Sequence, residues 1–180
     1  MCGIIAISGA ELHTIDKKRH LQSLHPRGPD AQDSFSYDNV YMGFTRLSIN
    51  DLSSDGMQPM QNDDKTVSMI CNGEIYNYKD IAKKHNFNMK SKSDCEVVLH
   101  LYLAHRNAPS FSEFILELDG EFAFVIYDKS KDLMLACRDR HGVRPLFRGS
   151  LATPTGSTVA FASELKALTF CDDVHQVQSG

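Results

Sequence analysis

Met1-Cys2 is followed at once by the apolar run Gly3-Ile4-Ile5-Ala6-Ile7. That run has the length and composition of a buried strand, and a buried strand holds the residue in front of it still. Cys2 is therefore fixed at the start of the fold rather than on a loose end. Once Met1 is removed, Cys2 carries a thiol and a free α-amino group on one residue. Their reference pKa values are about 8.5 and about 7.7–8.0, so a proton passes between them at little cost near neutral pH. Such a residue can serve as nucleophile and as its own base. The plain alternative is a small core cysteine on a terminal strand.

The 180 residues suit one domain, 1–180, with a core that needs no staples. Hydrophobic residues make up 42% and charged residues 23%, which are globular values. A net charge of -4 argues against a general nucleic-acid binder. No stretch has the apolar length of a membrane span, and the amino terminus lacks a secretory signal. The cysteines, Cys2, Cys71, Cys95, Cys137 and Cys171, are odd in number and scattered, without a C-x-x-C pair. A reducing, cytoplasmic setting is expected, with no disulfide framework. The eight histidines show no metal-binding spacing, so no metal is expected.

Periodicity and turn signals predict a helix over 16–24 and a break at His25-Pro26-Arg27-Gly28-Pro29-Asp30. A hairpin about Asp38-Asn39 and a polar loop from Asn50 to Asn62 follow. A strand over 66–71 is expected to end at an Asn72-Gly73 turn, the strongest short hairpin signal. Tyr78 to His85 reads as a helix. Ser93-Asp94-Cys95-Glu96 and Ser110-Phe111-Ser112-Glu113 read as capping boxes opening two more. Strands are expected over 120–127, 133–138, 146–147 and 158–162, then a last helix, 164–168, capped by Ser163. The polar tail 172–180 has no predicted element. Strands in runs joined by short turns, with helices gathered between the runs, favour antiparallel sheets with helices outside them.

Amide hydrolysis by a thiol needs donors for the developing oxyanion. The Asn72 side chain and the Gly73 N–H can point the same way, and losing one such donor costs about 2.7–4 kcal/mol of transition-state stabilisation. Read alone, Asn72-Gly73 is also simply a turn. Arg46 can offer a bidentate fork to a carboxylate, or serve as a strand-end ion-pair partner. Glu74 and Asp94 can meet an ammonium, while Asp94 also suits a first helical turn.

These residues fall within an ordered series of motifs. Cys2-Gly3-Ile4, Arg27-Gly28-Pro29-Asp30, Arg46-Leu47-Ser48-Ile49 and Met57-Gln58-Pro59-Met60 come first. Asn72-Gly73-Glu74-Ile75-Tyr76-Asn77, Ser93-Asp94-Cys95-Glu96 and Gly120-Glu121-Phe122-Ala123-Phe124 follow. The stretches from Arg138 to Leu146 and from Phe161 to Leu168 complete it. In this order they resemble the glutaminase domain of class II glutamine amidotransferases, in particular the amino-terminal half of glutamine-hydrolysing asparagine synthetases.

The resemblance implies an α+β fold, the four-layer αββα sandwich of N-terminal-nucleophile hydrolases. It implies Cys2 as nucleophile, Asn72 and Gly73 as the oxyanion hole, and Arg46 on the carboxylate of L-glutamine. Leu47, Ile49 and Asn50 would line the pocket, with Glu74 and Asp94 at the other end of the substrate. The 27–30 loop would pack beside the nucleophile in a structural role. No cofactor is implied. The implied partner is an ammonia-accepting synthetase domain or subunit, with a sugar-phosphate acceptor or a non-catalytic binding role as alternatives. Phe44 departs from the family, where histidine is common. The chain also shows no S-G-G-x-D-S or G-x-x-x-x-G-K-[ST] loop, so it is not expected to activate aspartate with ATP by itself.

Overall fold

The amino-terminal run forms β1 (Gly3–Gly9), in which every residue but Ser8 is buried. It extends past Ile7 because it is paired on both sides, with β3 (Val40–Arg46) and β9 (Gly156–Ala162). The computed structural model describes residues 1–10, 12–154 and 156–179, with Phe111 as backbone only. Gly180, the end of the predicted tail, lies outside the described residues.

The first sheet has six strands, ordered β10-β8-β9-β1-β3-β2, with β2 at Ala31–Tyr37, β8 at Phe147–Thr153 and β10 at Asp173–Gln176. The second has four, β4 (Met60–Gln61), β5 (Val67–Ile75), β6 (Gly120–Asp128) and β7 (Leu133–Arg138), in chain order. All pairings are antiparallel.

Strand alternation then decides the layers. Ile4 and Ala6 point between the sheets with Met42 and Phe44, against Ile70, Ala123 and Val125 of the second sheet. Ile5 and Ile7 point the other way, against Leu21 and Leu24 of the α1 region (Lys17–Ser23) and against Ala167 and Leu168. On the outer face of the second sheet, α2 (Tyr78–His85) and α3 (Glu96–His105) set Ile81, Val97, Leu101 and Tyr102 over Cys71, Phe122 and Phe124. Each fully buried side chain of this kind contributes roughly 1.5–3 kcal/mol. The result is the expected four-layer αββα sandwich. Phe44 is 1% exposed and belongs to the layer between the sheets, where an apolar ring is at home.

Several local expectations are corrected. Asn72-Gly73 is not a turn, because β5 runs straight through it, with Asn72 opposite Ala123 and Gly73 opposite Phe122. Nine consecutive pairings with β6 override the local turn preference. The break at 25–30 contains a short 3-10 helix, His25–Arg27. The 50–62 loop includes a 3-10 helix, Ser54–Gly56, and the two-residue β4. Neither capping box forms. The Glu96 carboxylate accepts from the Lys90 and Ser91 N–H groups (2.7 Å each) instead of reaching Ser93. Ser110 makes no side-chain cap, and Phe111–Glu117 is a 3-10 helix. Ser163 does not cap the last helix, the 3-10 segment Leu165–Leu168. Its hydroxyl accepts from the Ile4 N–H (3.1 Å) in the middle of the fold. The tail does close the structure, through β10 on β8.

Candidate active site

Cys2 sits where β1 enters the first sheet, and three neighbours fix it. The Arg27 Nε donates to the Cys2 carbonyl at 2.8 Å, and its Nη1 pairs with Glu164 at 3.1 Å. Ser163 engages both backbone groups of Ile4, its N–H donating to the Ile4 carbonyl at 3.0 Å. The Leu47 N–H donates to the Cys2 Sγ at 3.4 Å, and the thiol reaches the Leu47 carbonyl at 3.7 Å. Gly3 is required beside it, since a Cβ there would lie 2.6 Å from the Thr45 hydroxyl and 2.9 Å from the Leu24 Cβ. The predicted structural role of the Arg27 loop thus has a geometric form: it anchors the backbone of the nucleophile candidate.

Burial pushes the Cys2 thiol above its ordinary pKa; the Leu47 bond, the chain-terminal ammonium and Arg46 pull against it, while Cys71 adds to the rise. A thiol held in this way is mostly protonated near neutrality and needs a base close by. Met1 is 51% exposed and lies along the cavity. The Arg27 bond to the Cys2 carbonyl runs from Nε, while the Nη2 of the same guanidinium contacts the Met1 Sδ at 3.9 Å.

The cavity in front of Cys2 has a volume of about 100 Å3. All nine residues proposed for the site from the sequence line it: Cys2, Arg46, Leu47, Ile49, Asn50, Asn72, Gly73, Glu74 and Asp94. Arg46 ends β3 and is 8% exposed. Its guanidinium donates to the Ser53 carbonyl (2.7 Å) and to the Asp51 carbonyl, which leaves other N–H groups of its fork for a ligand. The Asp51 carboxylate in turn accepts from the Ser53 N–H (2.8 Å), the Ser53 hydroxyl (2.7 Å) and the Lys92 N–H (2.9 Å). Those Ser53 and Lys92 bonds hold its pKa below the usual carboxylate value. The 50–56 loop is in this way folded around the arginine.

The opposite wall is the outer edge of β5. In an antiparallel ladder alternate N–H groups face away from the partner strand. Here the outward ones are those of Cys71, Gly73 and Ile75. The Cys71 N–H is taken by the Gln58 Oε1 (2.5 Å) and the Ile75 N–H by the Asp94 Oδ2 (2.7 Å). Gly73 lies between them on the cavity. β4 covers β5 only at Met69 and Ser68, so it stops short of this stretch. Asn72 is 2% exposed and its Nδ2 has no hydrogen-bond partner. A buried amide donor left unpaired costs about 1–3 kcal/mol, a cost that a ligand oxygen would relieve.

Asp94 is 4% exposed, and its Oδ1 accepts from the Asn50 Nδ2 at 2.8 Å. It therefore ties the 50–56 loop to β5 and does not cap α3. Glu74 is exposed at the rim, and Ile49 is 70% exposed. Gln58, Asp51, Ser93 and Arg144 also line the cavity; from the sequence Ser93 was expected only as a helix cap, and the other three had no assigned role. Gln58 and Arg144 stood within quoted motifs, but nothing local shows that they face Cys2. The 139–144 turn that presents Arg144 is wound on Asp139, whose carboxylate accepts from the His141, Val143 and Arg144 N–H groups at 2.9–3.0 Å.

Among the described residues, no helix is long and apolar enough to cross a membrane, and all five cysteines are free thiols. In a comparison with solved structures, the chain superposes on the glutamine phosphoribosylpyrophosphate amidotransferase of B. subtilis with a TM-score of 0.79 at 19% identity. That match covers 99% of this chain and 46% of the other, and it shows the fold. A probable glutamine-hydrolysing asparagine synthetase of Acanthamoeba polyphaga mimivirus is 42% identical over 175 residues, covering 93% of this chain. Glutamine-hydrolysing asparagine synthetase 2 of Arabidopsis thaliana is 41% identical over 186 residues, covering 99%. The chain spans about 30% of the length of either relative. The family model for the glutamine amidotransferase domain matches residues 1–179. The chain belongs to the glutamine amidotransferase domain family.

Proposed function

We propose that this chain hydrolyses the side-chain amide of L-glutamine through a Cys2 thioester and delivers the ammonia to an asparagine-synthetase-type acceptor site outside these residues. One observation carries the reading: Cys2, the unpaired Asn72 amide and the outward edge of Gly73 meet on the same small cavity as Arg46.

With Met1 removed, the Cys2 α-amine takes the thiol proton, and the sulfur attacks the amide carbon of glutamine. The oxyanion that forms lies toward the Asn72 Nδ2–H and the Gly73 N–H. The protonated amine returns its proton to the leaving nitrogen, and ammonia departs. A γ-glutamyl thioester remains, and water, activated by the same amine, cleaves it to glutamate and the free thiol. Arg46 holds the substrate carboxylate, while Asp94 and Glu74 face its ammonium. Leu47, Ile49 and Asn50 form the wall between them. None of these steps calls on a cofactor, and the free thiols fit a reducing cytoplasmic setting.

The acceptor assignment draws on the two relatives named as asparagine synthetases. The decisive experiment is glutamate release from glutamine by protein whose mass shows Met1 removed, with Cys2→Ala alongside. Release that vanishes in the variant is expected. No release from processed wild-type protein would overturn autonomous activity.

A further inference from the structure

On the outer layer, away from Cys2, α2 and α3 end side by side. His85 is the last residue of α2, His105 the last of α3, and Glu117 the last of the 3-10 helix Phe111–Glu117. The Glu117 Oε2 lies 2.9 Å from the His85 Nε2, and Oε1 lies 3.5 Å from the His105 Nε2. One donor atom from each of the three falls within 4.8 Å of the others, and all three residues are half-buried. The His85 ring is oriented by stacking on Phe87 (5.1 Å, 13° between planes) and meets His105 edge-on at 6.1 Å. The Asn77 Nδ2 fixes the backbone of Glu117 through its carbonyl at 2.8 Å.

Two features point to a cation. Both helices direct their carbonyl ends, and so their partial negative charge, at this spot. Two imidazoles with one carboxylate are also a zinc donor set, which leaves a fourth position for water. Bonds of about 2.0–2.2 Å put tetrahedral ligands roughly 3.3 Å apart, a contraction that side-chain rotation can supply.

We propose that His85, His105 and Glu117 form a site for a divalent transition cation, Zn2+ first among them, which clasps α2, α3 and the 3-10 segment together. Lys84 would compete with the cation for the carboxylate, its Nζ 2.6 Å from the Glu117 Oε2. Lys84 is 65% exposed, so it swings into water when metal enters. The sequence spacing conceals the site because its ligands come from three separate elements.

The test is titration of the 180-residue chain with ZnCl2, alongside a form in which Cys2, Cys137 and Cys171, the thiols that are not buried, are replaced by serine so that they do not compete. One bound equivalent is expected. His85→Ala and His105→Ala should each weaken it by about tenfold or more, and Lys84→Met should tighten it. Binding that disappears when those three thiols are replaced, or that survives both histidine variants unchanged, overturns the proposal. So does a Zn2+ titration of wild-type protein in which the His85 and His105 ring proton signals do not move, a readout independent of how the variants fold.

Discussion

The two sheets present their polar groups to the cavity in opposite ways. On the first sheet, β1 is tied at each point near Cys2: Arg27 holds the Cys2 carbonyl, and Ser163 holds both backbone groups of Ile4. On the second, the outward N–H groups to either side of Gly73 are taken by Gln58 and Asp94 and the Cys95 thiol reaches the Gly73 carbonyl (3.7 Å), while the Asn72 Nδ2 has no partner. One wall spends its hydrogen bonds on rigidity. The other leaves a buried donor unpaired, at a cost in stability that a ligand oxygen would relieve. A nucleophile has to be held in place, whereas an oxyanion hole has to stay open until charge develops.

The contrast can be broken most sharply at Asn72. Asn72→Ala is expected to lower kcat by about 10²–10³-fold, with a melting temperature little changed, because no protein hydrogen bond is lost. Steady-state kinetics beside a thermal melt check both halves; a large fall in melting temperature would mean that the amide is structural. Next comes Gly73→Ala. Its Cβ would lie 2.5 Å from the Glu121 carbonyl oxygen and 2.7 Å from the Phe122 Cα, backbone atoms that cannot easily retreat. Denaturant unfolding should show a loss of about 3 kcal/mol, together with lost glutaminase activity. The smallest effect is expected on the rigid wall. Ser163→Ala leaves the buried Ile4 N–H unpaired and should cost about 1–2 kcal/mol in the same assay, with kcat reduced only a few-fold. If Ser163→Ala hurt catalysis more than Asn72→Ala, the division of labour between the sheets would be wrong.

The layered fold was legible, and so were nine residues that come to line one cavity, because the carriers of that information are local and ordered. Apolar alternation marks strands whatever they pair with, and motifs such as Cys2-Gly3-Ile4 and Arg46-Leu47-Ser48-Ile49 keep their meaning as text. The misreadings share one cause. Asn72-Gly73, Ser93 to Glu96 and Ser163 were each read by the preference of the nearest few residues, and each was decided by a distant partner. β6 keeps Asn72-Gly73 extended, Asp94 serves β5 instead of α3, and the Ser163 hydroxyl serves β1.

The sequence by itself determined that a strand begins directly behind Cys2, that the sheets are antiparallel with helices outside them, and which residue types could attack, hold and stabilise. Only the tertiary structure decided that β4 stops short along β5 and turns Gly73 to the cavity, that Arg27 anchors Cys2, and that three helix ends bring His85, His105 and Glu117 together. The physical reason is range. Periodicity and side-chain chemistry belong to single residues and their neighbours, whereas a free edge, an unpaired donor or a shared cation site exists only once remote segments have taken their places.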